Sequence, residues 1–232
     1  MTDRHVVVVL SGGLDSTTLA FQTHAEGDQV TALSVDYGQR HGTQELRAAT
    51  AIATAIGVPH EVVDLSPLRR LLTGSALTDD SVEIPDGHYT HQSMRATVVP
   101  NRNTLLLSLA VALAVARRAD AVAIGAHSGD HPIYPDCRPE FIAAFQRATR
   151  LANASFLPDE FGVLAPFAGM SKADIVRLGA RLHVPFAVTW SCYHGGDEHC
   201  GVCGTCVERR EAFAEAGVPD PTSYTEVRQP CT

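Results

Sequence analysis

The stretch Val6-Val7-Val8-Val9-Leu10-Ser11-Gly12-Gly13-Leu14-Asp15-Ser16 decides the fold, because an apolar run passes through a Gly-Gly turn into a helical pattern. The β-branched run has no polar alternation, which predicts a strand buried on both faces of a parallel sheet. The two glycines allow a sharp turn whose N–H groups converge on an anion, and the following helix adds its positive N-terminal end. Gly-Gly alone favours an ordinary turn between a strand and a helix. The full sequence Ser11 to Ser16 in this context instead predicts a phosphate-binding loop.

The chain around this stretch alternates between strand and helix patterns. Strands are expected at 5–10, 29–35, 60–65, 121–125 and 161–165. Helices are expected at 16–25, 43–56, 103–118, 138–152, 171–178 and from about Thr205. Such alternation predicts a doubly wound α/β fold with a parallel sheet, whose ligands bind beyond the carboxyl ends of the strands. We expect one domain over 1–185 and a small lobe over 186–232, with a long loop at 72–100 that lacks clear periodicity.

The composition is that of a globular protein, with 232 residues, 45% of them hydrophobic, and a net charge of −8. No apolar stretch reaches the roughly 18 residues that a membrane span requires, and the N-terminus has no signal-peptide pattern. We therefore expect a cytoplasmic protein without a membrane partner. Nucleic-acid binders usually carry a basic surface, so the acidic balance favours a small-molecule substrate over a stable nucleic-acid partner. The arginine pairs at 69–70, 117–118 and 209–210 are interpreted as solvated faces.

Polar motifs follow several of the predicted strands. They are Asp36-Tyr37-Gly38-Gln39-Arg40-His41, Val99-Pro100-Asn101-Arg102-Asn103, Gly125-Ala126-His127-Ser128-Gly129-Asp130 and Tyr134-Pro135-Asp136-Cys137-Arg138-Pro139-Glu140-Phe141. The first is equally compatible with a polar turn and with a ligand site. Arg102 carries a permanent charge suited to a carboxylate or a phosphate, and Asp130 or Asp136 suits the paired N–H donors of a guanine-like base. His127 by itself is more typical of a structural histidine. Lys172 starts a helix, where it is compatible with a phosphate contact and equally with a surface position.

Four cysteines crowd into the tail, at Cys192, Cys200, Cys203 and Cys206. Four thiolates complete a tetrahedral structural zinc site and leave no position open for chemistry. Free buried thiols, a redox pair and an iron–sulfur cluster are the alternatives, but clustering with two-residue gaps in a chain without a signal peptide favours metal. Cys137 and Cys231 lie outside the cluster and are interpreted as ordinary thiols.

Two resemblances follow from these motifs. Ser11 to Ser16 resembles the PP-loop of the N-type ATP pyrophosphatases, which include GMP synthetase, NAD synthetase, asparagine synthetase and tRNA thiolases. The motifs named above and the sequence Trp190-Ser191-Cys192-Tyr193 occur in the same order in one family. The chain resembles, from about Val6 to Phe213, the QueC family of queuosine and archaeosine biosynthesis, the 7-cyano-7-deazaguanine synthases. The segment Leu72 to Thr97 matches least.

The resemblance implies an adenylating carbon–nitrogen ligase that makes 7-cyano-7-deazaguanine from 7-carboxy-7-deazaguanine, ammonia and ATP. ATP would be split to AMP and pyrophosphate twice, with Mg²⁺ offsetting the phosphate charge. It implies ATP contacts over Leu10, Ser11, Gly12, Gly13, Leu14, Asp15, Ser16, Thr17, Thr18, Leu19 and Ala20. Asp15, Lys172 and Arg102 would be catalytic, with Asp15 touching Mg²⁺. The deazaguanine would meet Asp130, Tyr134, Asp136 and Arg138, and one structural zinc per chain would fix the C-terminal lobe. Relatives in the family are commonly homodimers.

Three other functions remain compatible with the sequence. A tRNA-modifying PP-loop enzyme shares the phosphate loop, although the acidic charge and the lack of an added RNA-binding domain count against it. A regulator that retains a nucleotide pocket beside a zinc module would show the same motifs without catalysis. A relative that adenylates a different carboxylate would differ only in its substrate pocket.

Overall fold

The computed structural model describes residues 4–88 and 90–225. Five strands form one parallel sheet in the order β3-β2-β1-β4-β5. They are β1 (His5–Val9), β2 (Gln29–Asp36), β3 (His60–Asp64), β4 (Ala121–Ala123) and β5 (Gly162–Leu164). The helices are α1 (Leu14–Ala25), α2 (Gly42–Ile56), α3 (His91–Met94), α4 (Arg102–Arg117), α5 (Pro139–Ala152), α6 (Lys172–Arg181) and α7 (Gly204–Ala216). The predicted doubly wound α/β fold is confirmed. None of the described helices is long and apolar enough to cross a membrane.

The central strand β1 is buried on both faces, as its unbroken apolar sequence predicts. Val6 and Val8 point into a core that α1, α2, α6 and α7 cover. Val7 and Val9 point into the opposite core, which α4 and α5 cover. The chain passes from β1 to β2 and β3 on one side and then crosses to β4 and β5 on the other side of β1. At such a reversal of strand order a crevice opens beyond the carboxyl end of the first strand. The Gly-Gly turn lies at this point.

Helix boundaries follow local capping chemistry. α6 begins at the predicted capping box, in which the Ser171 hydroxyl accepts from the Asp174 N–H at 3.2 Å and the Asp174 carboxylate accepts from the Ser171 N–H at 3.1 Å. α2 ends at Gly57, whose left-handed backbone closes the helix. α1 begins two residues earlier than predicted, at Leu14, because Gly13 is its N-cap. The strands β4 and β5 are each shorter than predicted.

The segment 72–97, which had no predicted element beyond short ones, packs against the cysteine lobe. Its described residues hold one short α-helix and a turn of 3₁₀ helix. Ala76 and Ile84 share an apolar cluster with Cys192, Cys203 and Cys206. Backbone N–H groups bond across the contact, from Gly87 to the Val202 carbonyl at 2.8 Å and from Gly204 to the Pro85 carbonyl at 3.2 Å. We call residues 72–97 and 190–208 together the cover, because the two segments pack on each other as one unit.

The interpretation of Arg209 as a solvated residue is wrong. Its side chain is fully buried, and its guanidinium donates to the Thr189 hydroxyl at 2.8 Å and to the Phe186 carbonyl at 3.0 Å. Asp220 balances its charge at 3.3 Å. The adjacent Arg210 is exposed, so the pair has one buried and one solvated member. α7 also places Phe213 in the core around β1, and the division of the chain at residue 185 stays a prediction.

Candidate functional site

The phosphate-binding loop is shaped by backbone that only glycine tolerates. Gly12 has φ +80°, and a Cβ there would lie 2.5 Å from the Glu45 carbonyl oxygen of α2. The Ser11 N–H donates to the Ser16 hydroxyl at 3.1 Å, and the two hydroxyls lie 3.0 Å apart. The loop thus curls around the N-terminus of α1. Both the α1 dipole and the free N–H groups there favour an anion.

A cavity opens at this loop. Six of the residues predicted to contact ATP line it: Leu10, Ser11, Gly13, Leu14, Asp15 and Ser16. Gly12 instead packs against α2, and Thr17, Thr18, Leu19 and Ala20 are buried in the body of α1. The Thr18 hydroxyl, for example, donates to the Leu14 carbonyl at 2.9 Å within the helix. The loop itself therefore faces the cavity, while the following turn of α1 belongs to the core.

Lys172 lies between two carboxylates in this cavity. Its Nζ is 2.9 Å from Asp15 and 2.9 Å from Glu208, a residue of α7 that the sequence interpretation missed. Burial acts to lower the pKa of Lys172, but the two carboxylates outweigh burial and raise the pKa above its ordinary value, so the lysine stays charged. Burial acts to raise the pKa of Asp15, and the Lys172 ammonium outweighs it, so that pKa is lowered. Burial prevails for Glu208 and raises the pKa of this carboxyl, although Lys172 acts to lower it.

One oxygen of Asp15, Oδ1, is buried and has no hydrogen-bond partner in the described part of the chain. A buried carboxylate oxygen without a partner costs free energy unless a cation or donor completes it. Hard divalent cations prefer carboxylate and phosphate oxygens. The residue therefore fits a hard divalent cation such as Mg²⁺.

Arg102 occupies the other side of the cavity among tyrosines. Its guanidinium lies 5.8 Å from the Tyr134 ring centre, and Tyr37, Tyr134 and Tyr193 all interact with its charge. No described carboxylate lies within ion-pair distance of it. Burial raises the pKa of Tyr37 to about 12, so this hydroxyl stays neutral. A half-buried cation beside aromatic rings suits a planar ligand that carries a negative group.

The predicted substrate residues separate into two pairs. Asp130 and Tyr134 line the cavity. Asp136 instead accepts from the Asn103 N–H at 2.9 Å and so caps α4. Arg138 is exposed and donates to the His131 carbonyl at 2.9 Å. The structure thus brings Asp130 and Tyr134 into the cavity with Arg102, whereas Asp136 and Arg138 are not among the residues that line it.

The motif after β2 contributes more to the cavity than its sequence indicated. Tyr37, Gln39 and His41 all line it, as does Glu45 one turn into α2. The cover contributes Trp190, Ser191, Tyr193, Thr205 and Glu208. The Trp190 N–H donates to the Gly12 carbonyl at 2.9 Å, which ties the cover to the phosphate-binding loop. Glu45 and Glu208 were missed because each is an ordinary acidic residue on a helix surface until the fold is known.

The four cysteines of the tail form a metal-ligand cluster. One sulfur from each of Cys192, Cys200, Cys203 and Cys206 lies within 4.8 Å of the others. Backbone N–H groups point at the sulfurs, with Cys200 N–H 3.4 Å from the Cys192 sulfur and Cys203 N–H 3.3 Å from the Cys200 sulfur. Such N–H groups stabilise thiolates, and four thiolates at this spacing can hold a metal ion such as zinc. Cys231 lies outside the described residues.

A doubly wound parallel sheet whose first strand ends in this loop defines an α/β nucleotide-binding enzyme of the PP-loop class. The family model described as queuosine biosynthesis protein QueC matches residues 5–217, and the chain belongs to that family. The 7-cyano-7-deazaguanine synthase of Rhizobium rhizogenes is 56% identical over 220 residues, which are 95% of this chain and 92% of that protein. The Brucella ovis synthase is 54% identical over 95% of this chain and 93% of its own.

The fold has a further likeness among solved structures. A Methanocaldococcus jannaschii protein, described as a predicted subunit of tRNA methyltransferase, superposes with a TM-score of 0.50. It is 15% identical, and the match covers 97% of this chain and 94% of that one. At this identity the likeness concerns the fold alone.

Proposed function

We propose that this protein converts 7-carboxy-7-deazaguanine and ammonia to 7-cyano-7-deazaguanine at the expense of ATP. The observation that carries the proposal is the cavity itself, which has a phosphate-binding loop at one side and the half-buried Arg102 among tyrosines at the other, without an ion-pair partner among the described residues. The family membership and the names of the relatives support the product, 7-cyano-7-deazaguanine.

The chemistry needs a leaving group on carbon, because a carboxylate resists attack by ammonia. The carboxylate oxygen attacks the α-phosphorus of ATP and expels pyrophosphate, ammonia displaces AMP to give the amide, and a second adenylation on the amide oxygen leads to the nitrile. The chain contributes positioning and charge stabilisation. In this proposal the loop Ser11 to Ser16 holds pyrophosphate, and Lys172 stabilises the charge that develops on it.

Substrate binding is assigned to the Arg102 side. Arg102 would hold the carboxylate toward the α-phosphorus, while Tyr134 would stack on the deazaguanine ring. Asp130 would accept from the ring N–H groups. Asp136 and Arg138 would act from behind, with Asp136 fixing the start of α4 and so the position of Arg102.

Two metal ions belong to the proposal. Mg²⁺ bound with ATP offsets phosphate charge during transfer, and Asp15 is its proposed protein ligand, since Oδ1 has no other partner in the described chain. One zinc per chain on Cys192, Cys200, Cys203 and Cys206 would hold the cover in shape, with no open position for catalysis.

The proposal includes a cytoplasmic homodimer, as the resemblance to the family implies, and the division into residues 1–185 and 186–232. Light scattering of the purified protein tests the dimer, which predicts twice the chain mass of 24.8 kDa.

The test of function is product formation. Purified protein with ATP, Mg²⁺, ammonium and 7-carboxy-7-deazaguanine should yield the mass of the nitrile, and Asp15→Ala should yield none. If the wild-type protein forms no AMP with this acid but does so with another carboxylic acid, the substrate assignment is wrong. AMP formation that depends instead on tRNA would favour a tRNA-modifying enzyme.

A further inference from the structure

The proposed roles leave one histidine of the cavity unused. His41 is the N-cap residue of α2, and its side chain is 3% exposed. Among the described residues that line the cavity it is the one histidine. Its Nδ1 is buried and has no hydrogen-bond partner in the described chain. An unpaired polar atom of this kind is costly for folding alone and so points to a partner that arrives with the ligands.

The other ring nitrogen of His41 faces a fixed carboxylate. Nε2 lies 3.5 Å from Oε1 of Glu45. The second oxygen of Glu45 accepts from the Gln39 side-chain amide at 2.9 Å, and Gln39 in turn accepts from the Tyr37 N–H at 2.9 Å. Burial acts to raise the pKa of Glu45, but His41 and Gln39 outweigh it and lower the pKa, so Glu45 stays ionised. A carboxylate at Nε2 favours the tautomer with the proton there and the lone pair on Nδ1.

Three other titratable groups of the cavity are poorly suited to accept a proton. Lys172 is held protonated by Asp15 and Glu208, which raise its pKa. Burial raises the pKa of Tyr37 to about 12 and raises that of Tyr193 as well. Glu208, whose pKa burial raises, is already engaged through Oε2 in its ion pair with Lys172 at 2.9 Å.

The second buried histidine near the site is engaged at both nitrogens. His127 Nδ1 accepts from the Gly129 N–H at 3.1 Å, and its Nε2 lies 3.6 Å from Asp130. Both histidines have a carboxylate beside Nε2, but of the two only His41 has an Nδ1 without a hydrogen-bond partner among the described residues. This is the arrangement of a general base with an orienting acid.

We propose that His41 is the base that takes protons from nitrogen in both halves of the reaction, and that Glu45 is its positioning residue. The inference rests on the proposed function. In the first half the ammonia lone pair forms the C–N bond, a proton passes from that nitrogen to Nδ1, and the C–O bond breaks as AMP leaves with the electron pair. In the second half the adenylated amide loses its N–H protons one after the other. The electron pair of the last N–H bond completes the nitrile as AMP leaves, and His41 returns each proton to solvent.

Adenylation requires no proton transfer from nitrogen, so partial reactions separate this role from a structural one. Hydroxylamine traps the adenylated acid as a hydroxamate. Its nitrogen also loses a proton, but at high concentration this strong nucleophile reacts without help from a base, so adenylation limits the rate of hydroxamate formation. With His41→Gln we expect hydroxamate formation within about threefold of wild type. Amide formation from ammonium chloride should fall by about 100-fold or more, the range that general bases contribute. The control is His24→Gln, at an exposed histidine of α1 remote from the cavity, which should match wild type in both assays.

Three results decide the matter. Equal loss of hydroxamate and amide in His41→Gln would overturn the proposal, because the residue would then serve binding or folding. Retention of amide formation would overturn it as well. A wild-type protein that forms neither AMP nor hydroxamate would count against the proposed function itself.

A second variant covers the case in which His41→Gln does not fold. Glu45→Gln keeps the size of the side chain and removes the charge that orients His41. It should lower amide formation about tenfold while hydroxamate formation stays within about threefold of wild type. A parallel loss in the two assays would overturn the positioning role.

Discussion

The phosphate-binding loop and the cover form the same cavity in opposite ways. The loop is a single run of six residues, Ser11 to Ser16, and its shape comes from backbone conformation and from contacts a few residues apart. The cover joins two segments about a hundred residues apart in sequence, and side chains and a metal-ligand cluster hold it together. The loop is thus specified locally, while the cover depends on long-range contacts that form only when the whole chain is folded.

The largest effect is expected from breaking the metal cluster of the cover. Cys206→Ser should reduce bound zinc from one per chain to well below one and lower the free energy of unfolding by about 5 kcal/mol or more, since structural zinc binds with about 10–16 kcal/mol. Metal analysis and chemical denaturation measure this. Cys137→Ala, at a buried thiol outside the cluster, should keep its zinc. Full zinc content in Cys206→Ser would remove this residue from the ligand set.

A smaller but still large effect is expected in the loop. Gly12→Ala places a methyl group 2.5 Å from the Glu45 carbonyl at a positive φ. The left-handed backbone and the overpacking together should destabilise the protein by about 3 kcal/mol.

Gly74→Ala is the matched control for Gly12→Ala. Gly74 has φ +84°, and a Cβ at this position would meet nothing within 4 Å, so only the backbone cost of about 1 kcal/mol should appear. Equal melting temperatures for the two variants would show that close packing against α2 does not shape the loop.

The next effect in size is expected where the cover meets the loop, through the ion pairs of Lys172 with Glu208 and with Asp15. Glu208→Gln removes the carboxylate of the cover from Lys172, and we expect kcat to fall about tenfold, the cost of roughly 1.4 kcal/mol of lost positioning. KM for ATP should change less, because Asp15 still holds the lysine. The control is Glu211→Gln, on the same helix as Glu208. It breaks an exposed ion pair with His88 and should leave kcat unchanged. Identical kcat values for the two variants would contradict the role of Glu208.

The smallest effect on stability is expected from Asp79, which lies in segment 72–97 of the cover. Hydrogen bonds from Ser81 and from the Gly74 N–H lower the pKa of Asp79 to about 2. Because this pKa is lowered in the folded state, the stabilisation is present above the unfolded value of about 3.9 and is lost as the pH falls toward about 2. A carboxyl-carbon NMR titration measures the pKa. An ordinary value would show that Asp79 does not hold this segment in solution.

The sequence predicted what local chemistry specifies. The apolar run of β1, the capping box at Ser171 and Asp174 and the spacing of the four cysteines each appear in the structure, because each depends on neighbours within a few residues. Helix α1 was predicted two residues late, since Gly13 acts as a cap without a side-chain bond.

Residues whose environment comes from distant segments were not predictable in the same way. Arg209 looks like a surface charge in the sequence, and only the folding of residues 186–220 around it makes it buried. Glu208 becomes part of the cavity because α7 packs beside α6, which carries Lys172. Asp136 has the sequence context of a ligand residue, and the structure engages it at the start of α4. The role proposed for Asp136 is therefore to hold the start of α4, and so Arg102, in place.

The central claim is that one cavity adenylates the same carbon twice, with the loop holding pyrophosphate each time. Counting AMP against nitrile in a quenched reaction with limiting 7-carboxy-7-deazaguanine tests it most directly. The account predicts two AMP for each nitrile, and one AMP for each nitrile when the 7-amide is supplied in place of the acid. A ratio of one from the acid, or an amide that forms no AMP, would contradict it.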